Sequence, residues 1–250
     1  MRTGLVSITF RQLGPQQIVD LVAQADLDGI EWGGDVHAPH GDVDTARRVA
    51  QMTRDAGLDV IAYGSYYRVC ASDDLSFDHV IDSARALGTD LVRIWAGRGT
   101  FAEMTEDYRK RVADETRRFA DRAADAGLTL AFEYHRGTLT ETADSARRLL
   151  EEVDRPNVKS LWQPDPRLSV DENDAALRAV LPWVVNLHVF SWDSAGTRLP
   201  LADGEAWWAR YLATAKESGR DHAALIEFVT DAEPDNFLAD ARTLRQWLRK

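Results

Sequence analysis

Short apolar runs alternate with longer stretches of helical periodicity along the whole chain. Leu5–Phe10 is apolar with a β-branched bias. Beyond Gly14-Pro15, Ile18, Leu21, Val22 and Ala25 recur on one helix face. The unit then repeats. Gly29–Gly34 reads as a second strand, followed by a loop over 34–41 and a helix over Val43–Ala56. Gly57–Tyr63 precedes an aromatic loop and the helix Phe77–Leu87, and Leu91–Trp95 precedes a long helix over Thr105–Ala126. Leu128, Leu130 and Phe132 alternate with Thr129, Ala131, Glu133 and His135; a helix over Thr140–Val153 follows and ends before Pro156. Three further pairs complete the series: Val158–Trp162 with Glu172–Leu181, Val184–Phe190 with Glu205–Ser218, and Ala223–Val229 with Asp235–Leu248.

Strands of about five residues alternating with helices of about 10–20 predict an α/β fold, a (β/α)8 TIM barrel. An open doubly wound sheet is the rival, but no GxGxxG opens the first helix and no GxxxxGK occurs. Neither a linker nor a low-complexity segment interrupts the 250 residues, so one domain over 1–250 is expected.

In such a barrel the chemistry sits at the C-terminal ends of the strands. Glu133 and His135 share one side of the fifth strand there, and Gln163, His188 and Glu227 occupy the corresponding point of the next three. Asn186 and His188 alternate with Val185, Leu187 and Val189, and Glu227 sits between Ile226 and Phe228. That parity sends the apolar neighbours to the helix layer and the polar side chains into the barrel. Unpaired buried charge is costly. Glu133, Gln163, His188 and Glu227 are therefore expected to converge on one divalent metal, with Glu133 and Glu227 also exchanging protons with substrate. Two carboxylates, an imidazole and an amide oxygen suit Mn or Mg best, with Co or Zn as further candidates. The bland alternative is a buried hydrogen-bond network of the same residues with Arg93 or Lys159.

Other side chains are candidates for substrate contact. His135 faces the same cavity as Glu133, and His37 lies on a top-side loop. Trp32 and Trp95, near strand ends, offer either an apolar wall for a sugar ring or core packing. Arg93 grips an anionic group or neutralises the carboxylates, and Arg198, after the seventh strand, recruits phosphate or carboxylate. His79 and His222 fall in or beside helix surfaces and receive no role. The single cysteine, Cys70, excludes an internal disulfide.

Composition narrows the partners. Hydrophobic content of 44% and charged content of 28% describe an ordinary globule, and a net charge of −11 argues against a nucleic-acid surface. The basic pairs Arg47/Arg48, Arg117/Arg118 and Arg147/Arg148 fit solvated helix surface. No basic region followed by a long apolar run is present, so no membrane partner and a cytoplasmic location are expected.

Over essentially its whole length the chain resembles the xylose-isomerase-like barrel superfamily, in particular its sugar phosphate isomerase/epimerase-type proteins. The resemblance rests on the strand-end residues and on the Glu-x-His pair of Glu133 and His135. In that family acidic residues on strands five, six and eight and a histidine on strand seven bind the metal; their matches here are Glu133, Gln163, Glu227 and His188. Gln163 departs from the pattern, because many relatives have Asp followed three residues later by His, whereas this chain reads Gln163-Pro164-Asp165-Pro166. An amide brings no charge, and Asp165 is a substitute ligand if it bends inward. The resemblance implies an isomerase or epimerase of a sugar, sugar phosphate or related carbonyl compound, in which the metal stabilises an enediolate. It also suggests a homodimer. The alternatives are a metal-dependent dehydratase or hydrolase of a sugar-derived metabolite, and a non-catalytic carbohydrate-binding barrel.

Overall fold

The computed structural model describes residues 1–72, 75–100 and 102–249. The chain begins with β1 (Arg2–Val6), α1 (Pro15–Gln24), β2 (Gly29–Gly33) and α2 (Val43–Asp55). It continues through β3 (Asp59–Arg68), α3 (Phe77–Leu87), β4 (Leu91–Trp95) and α4 (Glu106–Asp125). Next come β5 (Thr129–Glu133), α5 (Ala143–Val153), β6 (Val158–Trp162), α6 (Val170–Val180) and β7 (Val184–Val189). A short antiparallel hairpin, β8 (Ser191–Trp192) and β9 (Arg198–Leu199), precedes α7 (Glu205–Lys216), β10 (Ala223–Ile226) and α8 (Pro234–Arg249). Among the described residues, eight parallel strands close into a barrel in the order β1-β10-β7-β6-β5-β4-β3-β2. The expected (β/α)8 barrel is the fold observed.

Local chemistry sets the helix ends. Thr105, Thr142 and Ser169 cap α4, α5 and α6 by accepting from backbone N–H groups; Ser169 and Glu172 form a reciprocal capping box. At the other end of α3, Gly88 adopts φ 76°, a left-handed turn that a side chain would strain. The apolar faces of the helices pack on the outward strand residues, among them Leu130, Phe132, Leu187 and Ile226. Inside the barrel, Val6, Ile8, Ile61, Ala223 and Leu225 form one apolar cluster, and Ala62, Leu91, Ala131 and Leu161 a second.

Three departures from the sequence reading bear on the site. The run Leu5–Phe10 is not one strand: the strand ends at Val6 and Ser7–Phe10 form a 3-10 turn. Polar side chains hold that turn, Ser7 Oγ accepting from Gly33 N–H at 2.9 Å and Thr9 Oγ1 from Phe228 N–H at 3.0 Å. The third strand runs on to Arg68 through the segment expected as an aromatic loop, where Ser65 Oγ donates to the Arg93 carbonyl. The eighth barrel strand ends at Ile226, and Phe228 takes φ 59°. That turn carries its ring to the cavity instead of the helix layer. None of the helices described is long and apolar enough to cross a membrane.

Candidate metal and substrate site

Strand alternation places Glu31 on β2, Arg93 on β4, Glu133 at the end of β5, His188 on β7 and Glu227 just after β10 inside the barrel. All five are nearly or fully buried. Arg93 Nη1 donates to Glu133 Oε2 at 2.7 Å, and its Nε lies 3.3 Å from Glu31 Oε1. His188 Nε2 is 3.2 Å from Glu31 Oε2, and its Nδ1 is 3.4 Å from Glu227 Oε2. Ligand atoms of Glu133, His188 and Glu227 lie within 4.8 Å of one another. This set is able to hold a divalent cation.

The charges fit such an ion. Three carboxylates against one guanidinium leave two negative charges once His188 is neutral. Burial alone would lower the His188 pKa, but the charges of Glu227 and Glu31 outweigh it and push the imidazole up to about 10. Burial likewise disfavours the Glu227 charge, yet His188 and Arg93 hold its carboxyl below the usual range. Without a cation, a proton on His188 thus supplies part of the missing positive charge. The imidazole geometry agrees. A carboxylate only accepts, so the contact with Glu31 fixes a hydrogen on Nε2, and once the ring is neutral Nδ1, 3.4 Å from Glu227 Oε2, carries the lone pair.

Gln163 stands beside this set, its amide nitrogen 3.5 Å from Glu133 Oε1. Rotating the amide by half a turn presents its oxygen instead. Asp165 bends the other way, into a salt bridge with Arg167 at 2.5 Å, while still lining the cavity.

The cavity above the cluster has a volume of about 410 Å³. Arg93, Trp95, His135 and Gln163 line it, as expected, together with Tyr66 and Phe228, which the sequence reading did not single out. Trp95 stacks on Tyr66 at a centroid distance of 6.1 Å and packs against His135 at 4.5 Å. Phe190, Trp192 and Phe228 form a second aromatic group. Since β3 and β4 lie opposite β7 and β10 in the barrel, the two groups reach the cavity from opposite sides. A space of this size and lining suits a small molecule.

Three expected substrate contacts are elsewhere. Trp32 is fully buried against α2, with its indole N–H donating to Thr53 Oγ1, so its ring serves the core. His37 is buried between Ser7 Oγ at 2.9 Å and the Leu13 carbonyl at 3.2 Å, where it fastens the β1 turn. Arg198 lies on β9, its guanidinium 4.7 Å above the Phe228 ring, behind the aromatic wall. Glu31 was missed altogether. Its signal was an acidic residue between Ile30 and Trp32 in an otherwise apolar strand.

Known proteins share this fold. The chain is 25% identical to a 3-dehydroshikimate dehydratase of Bacillus anthracis, over 98% of this chain and 96% of that protein. A crystal structure of a probable 3-DHS dehydratase of Bacillus anthracis superposes with a TM-score of 0.81 at 20% identity, covering 98% of this chain and 99% of that one. The Escherichia coli 3-keto-D-glucoside 4-epimerase does so with a TM-score of 0.74 at 18% identity, over the full length of both chains. Residues 19–250 match the family described as xylose isomerase-like TIM barrel. A clustered Glu–His–Glu set in this barrel is the equipment of a metal-dependent enzyme acting on sugar-like compounds. The chain belongs to the xylose-isomerase-like TIM barrel family.

Proposed function

We propose that this protein is a metal-dependent dehydratase of a cyclic polyhydroxylated keto acid of the 3-dehydroshikimate type. One observation carries the reading: the Glu133–His188–Glu227 cluster opens into a cavity flanked by two aromatic groups. Flat aromatic faces suit a ring that becomes planar as it loses water. The relationship to a 3-dehydroshikimate dehydratase supports the same chemistry.

Glu133, His188 and Glu227 would hold the ion, and the Gln163 amide, turned to present its oxygen, would serve as a fourth donor. Mn and Mg fit this oxygen-rich set best. When bound, the cation supplies Lewis-acid polarisation of the substrate carbonyl. The base is His135. Its Nδ1 lies 2.6 Å from the Arg136 carbonyl, an acceptor only, so Nδ1 carries the hydrogen and Nε2 is free to take a proton. That proton leaves the carbon beside the ketone, and the electron pair released expels the hydroxyl on the next carbon. Tyr66 supplies the proton that turns this hydroxyl into water. Its oxygen accepts from Arg11 Nη2 at 2.8 Å, leaving its own hydrogen to donate, while burial raises its pKa and keeps it protonated. Trp95 and Phe228 wall the ring off from bulk water. Tautomerisation of the product then gives a dihydroxybenzoate, with one water lost overall.

Isomerisation or epimerisation, the first expectation from sequence, is the second reading. Two glutamates in one cluster favour it, since paired carboxylates can exchange a proton on either side of a carbonyl compound. The test is direct. Mn-loaded protein is incubated with 3-dehydroshikimate, and separately with a panel of ketoses and their phosphates. Aromatic ultraviolet absorbance together with loss of one water by mass spectrometry is expected. Return of unchanged 3-dehydroshikimate alongside interconverted ketoses would overturn the dehydratase reading in favour of the second.

A further inference from the structure

Outboard of the cavity, a second concavity is lined by Arg68, Arg98, Arg136 and Arg167 together with Trp95 and His135. Trp95, His135, Arg136, Glu141 and Arg167 border both spaces, so a ligand can extend from one into the other past the Trp95–His135 pair. Four guanidinium groups around one hollow are unusual on a chain of net charge −11. Arg167 is committed to Asp165. Among the described residues, Arg98 and Arg136 form no salt bridge, and both are exposed. Arg68 is held in place, its guanidinium 3.7 Å above the Trp95 ring and its Nη1 donating to the Gly97 carbonyl at 3.3 Å. With Arg167 paired, Arg68, Arg98 and Arg136 still outnumber Glu141, the one carboxylate among the described residues that line this hollow, and an oxyanion relieves their mutual repulsion.

We infer that Arg68, Arg98 and Arg136 form an anion subsite that grips a carboxylate or phosphate group of the substrate beyond the Trp95–His135 pair. The inference rests on the proposed function only in taking the metal cluster as the reacting end. It adds which residues receive the anionic end of the substrate, and that binding weakens with salt. Arg68 is preorganised by its stacking on Trp95, whereas Arg98 and Arg136 close on the ligand from the rim. Burial, and then the nearby Arg98 charge, disfavour the charged form of Arg68, and an oxyanion beside it would offset both.

The test titrates the protein calorimetrically with inorganic phosphate and, separately, with sodium benzoate at low ionic strength. Arg98→Gln/Arg136→Gln is the variant, and Arg47→Gln/Arg48→Gln, on the exposed face of α2, controls for net charge. Saturable binding of at least one anion by the parent and the control, weakened about tenfold or more in the rim variant, is expected. Tighter phosphate assigns a phosphorylated substrate, and tighter benzoate a carboxylic acid. No saturable binding by the parent, or equal binding by parent and rim variant, overturns the inference. Turnover separates the two claims. A parent that binds anions but does not dehydrate 3-dehydroshikimate sinks the functional reading alone. Turnover with a KM unmoved in the rim variant sinks the subsite alone.

Discussion

Glu31 Oε2 lies 3.2 Å from His188 Nε2, so a carboxylate from the second strand fixes the ring of a histidine on the seventh. The contact orients Nδ1 toward Glu227 and raises the basicity of the imidazole. The same carboxylate also meets Arg93 through its other oxygen. Glu31→Gln should keep the shape and fold while lowering divalent-metal affinity roughly 10–100-fold. Calorimetric titration with Mn²⁺, with circular dichroism as the folding control, measures it. Unchanged affinity would assign Glu31 to packing alone.

Metal uptake should release a proton. In the metal-free protein His188 is charged at neutral pH, because its pKa lies near 10, whereas a ligand imidazole must be neutral. Between the usual histidine value and pH 10, apparent affinity should therefore rise about tenfold per pH unit. Linkage to stability has the opposite sense. A raised histidine pKa stabilises the metal-free fold below the ordinary value of 6.5, and that contribution disappears as pH climbs through about 10. Titrating Mn²⁺ in buffers of different ionisation enthalpy counts the protons. Affinity independent of pH would contradict a charged His188.

Gly64, on β3, makes room for the buried ion pair. A Cβ there would lie 2.8 Å from Arg93 Nη2 and 2.9 Å from Glu31 Oε1. Neither group can retreat, since Arg93 is clamped by Glu133 and Glu31 touches His188. Gly64→Ala should cost about 1–3 kcal/mol of stability, read as a lower midpoint in urea, and should weaken metal binding as well. Full stability in this variant would show that the pair is looser than its contacts imply.

The sequence shows the barrel clearly because strand and helix periods differ and because Ser, Thr and Gly punctuate the helix ends. It also shows the acidic and imidazole residues able to hold a cation, since Glu133, His188 and Glu227 each stand at a strand end between apolar neighbours. What it hides depends on backbone turns and partners distant in the chain. Phe228 reads as an outward strand residue, and only its positive φ turns the ring into the cavity. His37 and Trp32 carry the residue types of a sugar site, yet hydrogen bonds to Ser7 and Thr53 commit them elsewhere. Glu31 precedes its partner His188 by 157 residues, and a single carboxylate in a strand does not announce what it will meet. The arginine rim is equally dispersed, drawn from loops and strand ends far apart in the chain.

His135 separates proton transfer from metal binding. It lies two residues beyond Glu133 and lines the cavity, yet its Nδ1 is engaged by the Arg136 carbonyl and not by the Glu133–His188–Glu227 set. His135→Gln keeps a polar side chain against Trp95 but removes the basic nitrogen. Metal affinity should stay within about twofold of the parent, while kcat falls roughly 10²–10⁴-fold, the usual contribution of a general base. KM should move little if the ring serves as a base and not as a binding contact. A variant with parental kcat and raised KM would move His135 from catalysis to substrate holding, and the base would then be sought among the carboxylates of the cluster.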